Sequence, residues 1–333
     1  MNNVFLVYDN ADPRQLFIPT CMGVPAEHQM KGTYGEQLSE VCGRICYDSL
    51  GAEKSRSSAD YHKHIIEVNH SSVLRHYNFT VEVKVGNYNM QEVLMCLLNK
   101  PGFYVRHLRN HVLCITLNIN CALDWCNDDA MRFGGVYYEL GRVFNGALKQ
   151  LAPAYAKEHR EGGLEWYIVG PRDEEEHWVS LYMSGSRGWS HEQVRHSWRC
   201  AVSQRSTRYC DESEAPWIEH PLLRDYMAFN DDDEVRELAV ETVESSRHLY
   251  RMLVRKLELW QQTTGVDRFT ARKQARGAAR GWLGNALFTE MIFSASVAQW
   301  KRMLKQRNNS AADGEIHEMY RDDVANMIDV VTQ

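Results

Sequence analysis

The strongest hydrophobic periodicity in the chain runs from residue 231 to 260, DDDEVRELAVETVESSRHLYRMLVRKLELW. Val235, Leu238, Thr242, Leu249, Leu253 and Leu257 recur there at helical spacing behind an acidic start, the pattern of a long amphipathic helix. A shorter stripe of Leu38, Cys42 and Ile45 predicts a helix over 35–48, and the serines of SRSSADYHKHIIEV offer caps for a second. FTVEVKV (79–85) alternates apolar and polar residues as a half-buried strand does, and LCITLNI (113–119) is a second strand candidate. Residues 131–157 read as helical through Leu140, Val143, Leu148 and Leu151, and so does the stretch 270–306. PRDEEEH (171–177) reads as a surface loop. Helices and strands without regular βαβ alternation predict an α+β fold and not a doubly wound sheet. No repeat, low-complexity tract or Pro/Gly/Ser linker divides the sequence, so it reads as a single domain over residues 1–333.

Composition sets bounds on function. With 333 residues, 44% hydrophobic and 25% charged, the chain has a globular make-up and can bury a sizeable core. A formal net charge of −6 gives no general attraction to nucleic acid polymers or anionic membranes, yet leaves room for a local basic pocket. No apolar stretch approaches the roughly 20 residues that span a bilayer, and MNNVFLVYDNADPRQ lacks the basic start and apolar core of a signal. Nine cysteines, an odd number scattered along the chain, point to reduced thiols and a cytoplasmic location. Cys42 and Cys46 stand four apart with no second pair at zinc-finger spacing, so they read as packed thiols and no metal is expected.

The candidate chemistry concentrates in residues 185–209, GSRGWSHEQVRHSWRCAVSQRSTRY. Read as a helix, the first half stacks Arg187, His191 and Arg195, with Glu192, His196 and Arg199 on a neighbouring stripe. Read as an extended segment, the second half puts Gln204, Ser206 and Arg208 on one face. An amide, a hydroxyl and a guanidinium presented together suit a phosphate monoester, because arginine pairs bidentately with phosphate and serine adds a neutral donor. On pattern alone, a solvated basic helix followed by a polar edge strand accounts for the same residues.

The run RHSWRCAVSQRSTRY resembles the signature of the flavin-dependent thymidylate synthase family, which begins Arg-His-Arg and ends in Ser-x-Arg after a Glu or Gln. Arg195 and His196 match its start; Ser203, Gln204, Ser206, Arg208 and Tyr209 match its end. HSSVLRH (70–76) followed by FTVEV is similar to the family's histidine box and strand, and GRICYDS (43–49) to its N-terminal element. AARGWLGNALFTE (278–290) and WKRMLKQR (300–307) fall where the family has its Ala-Arg-x-x-Leu-Pro segment and terminal Leu-x-Arg. KPGFYVRH through ITLNINCALDW is similar to the insertion of the longer members, placing an insertion at about 86–177.

The resemblance implies a thymidylate-synthase-complementing fold, a mixed sheet flanked by helices, in a homotetramer with active sites at subunit interfaces. It implies methylation of dUMP at C5 to dTMP, with FAD as hydride carrier and NADPH and methylenetetrahydrofolate as co-substrates. By the same resemblance Gln204, Arg205, Ser206, Thr207 and Arg208 cradle dUMP, with Ser206 and Arg208 on its phosphate. Glu192 and Arg195 also contact the nucleotide, Arg195 reaching the flavin as well. Arg280 reaches the phosphate of a site shared with a neighbouring subunit. Arg307 faces the uracil ring, where a fixed cation stabilises charge developing on the N3/O4 edge, and is the catalytic candidate. His70, Ser72, His196 and the third signature residue, Ser197, line the flavin. The other class of thymidylate synthase needs a cysteine nucleophile beside proline, and no Pro-Cys occurs here.

Several flavin positions depart from the family. Ser197 stands for arginine, Arg75 for the glutamate of the histidine box, Ser296 and Ala298 for an Asn-x-Arg pair, and Gly284 for proline. The nucleotide set Gln204, Ser206, Arg208, Arg280 and Arg307 is intact. Two other readings therefore stand beside dUMP methylation: a different one-carbon transfer (hydroxymethylation of dUMP, or methylation or hydroxymethylation of dCMP), and a non-catalytic nucleotide-binding paralogue. Arg75 and Arg199 are the residues that could approach the flavin pyrophosphate from new positions.

Overall fold

The computed structural model describes residues 3–11, 32–50, 56–68, 70–85, 90–91, 94, 103–108, 111–128 and 165–333. The helix expected over 131–157 lies outside them. In chain order the elements are β1 (Asn3–Asp9), α1 (Tyr34–Cys46), α2 (Ser58–Glu67), β2 (Asn78–Lys84), β3 (Phe103–His107), β4 (Val112–Asn118) and α3 (Ile119–Asp128). Then follow β5 (Glu165–Val169), β6 (Trp178–Ser186), α4 (Arg187–Gln193), β7 (Cys200–Gln204), α5 (Pro221–Asn230), α6 (Asp233–Thr263) and α7 (Arg268–Ala279). The chain ends with β8 (Phe288–Ser296), α8 (Val297–Arg307), α9 (Gly314–Met319), a π turn, and α10 (Ala325–Thr332).

The α+β class is as expected, but the mixed sheet is not: the strands form two four-stranded sheets whose pairings are antiparallel throughout, β1-β6-β8-β7 and β3-β4-β2-β5. Consecutive residues of β6 and β8 send side chains to opposite faces, and both faces are covered. Tyr182 and Ile292 join a core with α1, α2, β2 and β4, while Leu181, Met183, Phe293 and Ala295 join one with Trp189, Trp300, Met303, Ile316 and Tyr320.

Local chemistry sets the helix starts. Thr33 and Glu36 form a capping box on α1, Ser57 caps α2, and Asp232 and Asp267 cap α6 and α7. The stretch 270–306 is not one helix. It breaks after Ala279, and Ser296, the last residue of β8, caps α8 by accepting from the amide of Gln299. The half-buried strand expected at 79–85 is buried over most of β2, because β4 and β5 flank it. The loop 171–177 is less superficial than its acidity suggests. Glu176 is fully buried and takes Arg106 at 2.6 Å, while the carbonyls of Glu174 and His177 receive the first amides of α8. On α6, Leu238 and Thr242 of the expected apolar face are exposed, and Tyr250 is its only fully buried residue.

Candidate functional site

The corner between β6 and α4 opens the site. Ser186 caps α4 through the amide of Trp189 (3.0 Å), and Glu315 from α9 grips Ser186 by its amide (2.7 Å) and its hydroxyl (2.5 Å). Helix α4 stops at Gln193, whose side-chain oxygen accepts from Tyr320 at 2.9 Å. The helical stacking expected of Arg187, His191 and Arg195 therefore ends before Arg195, which sits 71% exposed beside Glu192 at 3.4 Å. The chain then turns through Ser197 and Trp198, both exposed, and through Arg199 at a positive φ of 49°, into β7.

Arg307, at the end of α8, closes onto this turn. Its Nε donates to Nε2 of His196 at 2.8 Å, and its Nη1 lies 2.9 Å from Oε2 of Glu192. Three expected site residues from two separate segments thus meet. Burial, and then Arg307 itself, hold the His196 imidazole below its ordinary pKa.

The far end of β7 carries a second group. Gln204 donates from Nε2 to Ser190 (2.9 Å) and to Thr289 (3.1 Å), which engages both amide hydrogens. Beyond it the chain is not extended as the alternation suggested. Ser206 donates its amide to the carbonyl of Cys46 at 3.0 Å, and its own carbonyl receives the amides of Tyr209 (3.1 Å) and Cys210 (2.9 Å). This turn separates residues expected to act alike. Arg205 points inward, 2.8 Å from Asp48 and 3.2 Å from Glu212, and these partners raise its pKa against the cost of burial. The Arg205 side chain is thus a strut of the fold. Thr207 is buried, and its hydroxyl accepts from Arg280 at 3.4 Å. Arg208 stays exposed, its stem along α7: a Cβ placed on Gly277 would lie 3.8 Å from its Cγ. Arg187, near enough to Arg280 to feel its charge, completes a basic patch. Arg280 reaches Thr207 within one chain, so no second subunit is needed to bring these residues together.

His70 joins through the Tyr47 hydroxyl, 3.0 Å from its Nδ1, and Tyr47 packs edge-on against Tyr209 at 4.6 Å. Ser72 is exposed. His76, the last residue of the histidine box, is a core residue held between Ser294 (2.7 Å) and Ser203 (2.9 Å). Burial pushes the thiols up, Cys46 to about 11 and Cys200 and Cys210 to about 12, so none of the three is activated as a nucleophile. Among the described residues no group of His, Cys, Asp and Glu could hold a metal. Ser190, Thr289, Asp48 and Glu212 escaped the sequence reading as site residues, although only Glu212 lay outside the segments that it had singled out.

A cavity of about 280 Å³ lies between the sheets, lined by Arg75, Arg199, Tyr104, Asn118 and Trp178 among others. The indole N–H of Trp178 is buried with no hydrogen-bond partner among the described residues. Two guanidinium groups at one cavity fit an anionic group such as the diphosphate of a flavin dinucleotide.

The family model described as thymidylate synthase complementing protein matches residues 175–331. A flavin-dependent thymidylate synthase of Mycobacterium marinum is 37% identical over 144 residues, covering 42% of this chain and 54% of that protein. One of Mycolicibacterium gilvum is 31% identical over 156 residues, covering 46% and 59%. The chain thus spans little more than half the length of these curated relatives. A Helicobacter pylori thymidylate synthase structure with FAD and dUMP matches 44% of this chain and 65% of its own, at 17% identity and a TM-score of only 0.29. Residues 175–331, a little under half of the chain, are thus similar to the thymidylate synthase complementing protein family.

Proposed function

We propose that this protein methylates dUMP at C5 to give dTMP, with methylenetetrahydrofolate as one-carbon donor and NADPH as reductant. The observation that carries the reading is the meeting of Arg307 with His196 and Glu192 at 2.8 and 2.9 Å. A guanidinium fixed there is set to stabilise negative charge on the N3/O4 edge of a pyrimidine without a protein nucleophile. FAD, when bound, supplies the hydride. The basic patch of Arg208, Arg280 and Arg187 binds the nucleotide phosphate, Gln204 orients the nucleotide, and exposed Arg195 bridges nucleotide and flavin. His70, Ser72 and Ser197 lie on the flavin side.

A homotetrameric assembly of single-domain subunits belongs to the same proposal. It is supported by apolar residues left exposed along α6 and α7, Leu238 (55%), Leu259 (64%), Trp260 (61%) and Phe269 (67%). Among the described residues no helix is long and apolar enough to cross a membrane. A cytoplasmic location is part of the same proposal.

The test is direct. FAD-loaded protein given dUMP, methylenetetrahydrofolate and NADPH should form dTMP, identified by mass, and Arg307→Ala should not. Flavin-loaded protein that consumes NADPH yet forms no methylated nucleotide overturns the reading.

A further inference from the structure

Two anion-binding features sit at opposite ends of β7. The patch of Arg208 and Arg280 follows its last residue, Gln204, and Arg199 precedes its first, Cys200. A five-residue strand separates them by roughly 17 Å. We infer that the cavity beside Arg199 holds the diphosphate of an adenine dinucleotide, with Arg75 and Arg199 as its cations and Trp198 as a stacking face for an attached ring. This rests on the flavin reading above and extends it to residues where the chain departs from its relatives.

Each part of the cavity fits that chemistry. Arg75 comes from the turn before β2, and among the described residues no carboxylate pairs with it. Arg199 is held in place by Glu175 at 2.9 Å and by the Tyr104 ring, 4.7 Å from its guanidinium carbon. A guanidinium already ordered in this way loses little freedom on meeting a phosphate, and its fork pairs two oxygens at once. Glu175 does not neutralise the region, because it also carries Arg302 at 3.0 Å. The other carboxylate, Asp124, accepts from Asn120 at 3.1 Å.

Size favours a diphosphate over a single phosphate. The cavity of about 280 Å³ exceeds what a phosphate fills and falls short of a whole dinucleotide, so the attached rings must lie beyond it. Trp198 stands beside it, 61% exposed, with the guanidinium carbons of Arg199 and Arg302 at 5.4 and 5.3 Å from its ring. An exposed aromatic plane held by two cations is ordered in advance for stacking. The departures at Ser197, Ser296 and Ala298 then have a counterpart. Ser296, two residues before Ala298 where the family has arginine, lies 3.5 Å from Glu175, the carboxylate shared by Arg199 and Arg302, so positive charge is retained near the position that lost it.

FAD and NADPH both bring a diphosphate, so the test has an arm for each. Full-length protein is titrated with FAD and with riboflavin by flavin fluorescence, and with NADPH by its own emission. Wild type is compared with Arg75→Ala, whose side chain is exposed, and Arg199→Lys, which keeps a charge for Glu175. Each substitution should weaken FAD binding about tenfold or more while leaving riboflavin, which lacks the diphosphate, unchanged. Loss confined to NADPH would support the dinucleotide site and assign it to the reductant. If wild type binds FAD and both folded variants match it for FAD and NADPH, the inference is overturned while the proposed function stands. If wild type binds neither dinucleotide, the flavin reading falls with it.

Discussion

Nε of Arg307 donates to Nε2 of His196 at 2.8 Å, across 111 residues of sequence. A guanidinium can only donate, so the acceptor nitrogen must be unprotonated and the imidazole neutral. Burial first, and Arg307 second, hold its pKa below the ordinary 6.5. The sign follows. A depressed histidine favours the folded state above the unfolded pKa, and that contribution is lost as pH falls through the folded one. Arg307→Ala should raise the His196 pKa without restoring it to 6.5, because burial remains. An NMR titration of the imidazole checks this, and an unmoved midpoint would show that the two charges are not coupled.

Arg205 and Arg208 are three residues apart and should fail differently. Arg208→Ala removes an exposed guanidinium and should weaken dUMP binding by about 2–4 kcal/mol in calorimetry while the fold persists. Arg205→Ala strands the buried carboxylate of Glu212 and should destabilise the fold by about 3–5 kcal/mol in urea unfolding. Equal effects of the two substitutions on stability would contradict the inward placement of Arg205.

Since Arg280 meets Thr207 in its own chain, Arg280→Ala and Arg208→Ala should damage the same site. Mixed oligomers of the two inactive variants should then stay inactive, because no site in them is whole. Recovered turnover in verified hybrids would mean that neighbouring subunits exchange these residues.

His76, buried between Ser294 and Ser203, has its pKa lowered to about 3 by burial. The unfolded chain takes up this proton near 6.5 and the folded chain does not, so stability falls as pH drops below 6.5 toward 3. Between pH 7 and 5 this one group should account for about 2 kcal/mol of lost stability. Denaturant unfolding of wild type and His76→Gln at both pH values reads the difference. Parallel losses in the two proteins would assign the acid sensitivity elsewhere.

What the sequence reveals and hides has physical causes. Helices with caps and acidic starts were legible: α6 begins within two residues of its expected position because Asp232 and the acidic first turn mark it locally. Strand β8 was not. Covered on both faces, it lacks alternation, and an apolar run between two helices has no period to separate it from them. The turn at Ser206 was missed because what bends it, the carbonyl of Cys46, lies on α1, far away in sequence. In the candidate site, Glu192, His196 and Arg307 were legible by motif and do converge. The inward turn of Arg205 depended on Asp48 and Glu212, partners that only the fold brings near.

The order of strands in the first sheet has a consequence in time. Strand β8 lies between β6 and β7, although it is the last of the three to be made. Until it emerges, among the described strands β6 has only β1 beside it and β7 has none to pair with. At ordinary synthesis rates the residues from Gln204 to Ser296 take about 5–20 s to add. Throughout that interval the nascent chain displays a strand edge flanked by Leu181 and Met183, an invitation to mispairing. Arg307 and Glu315, which fasten the finished site, arrive later still. The chain is therefore most in need of protection on the ribosome just before its functional residues can be brought together.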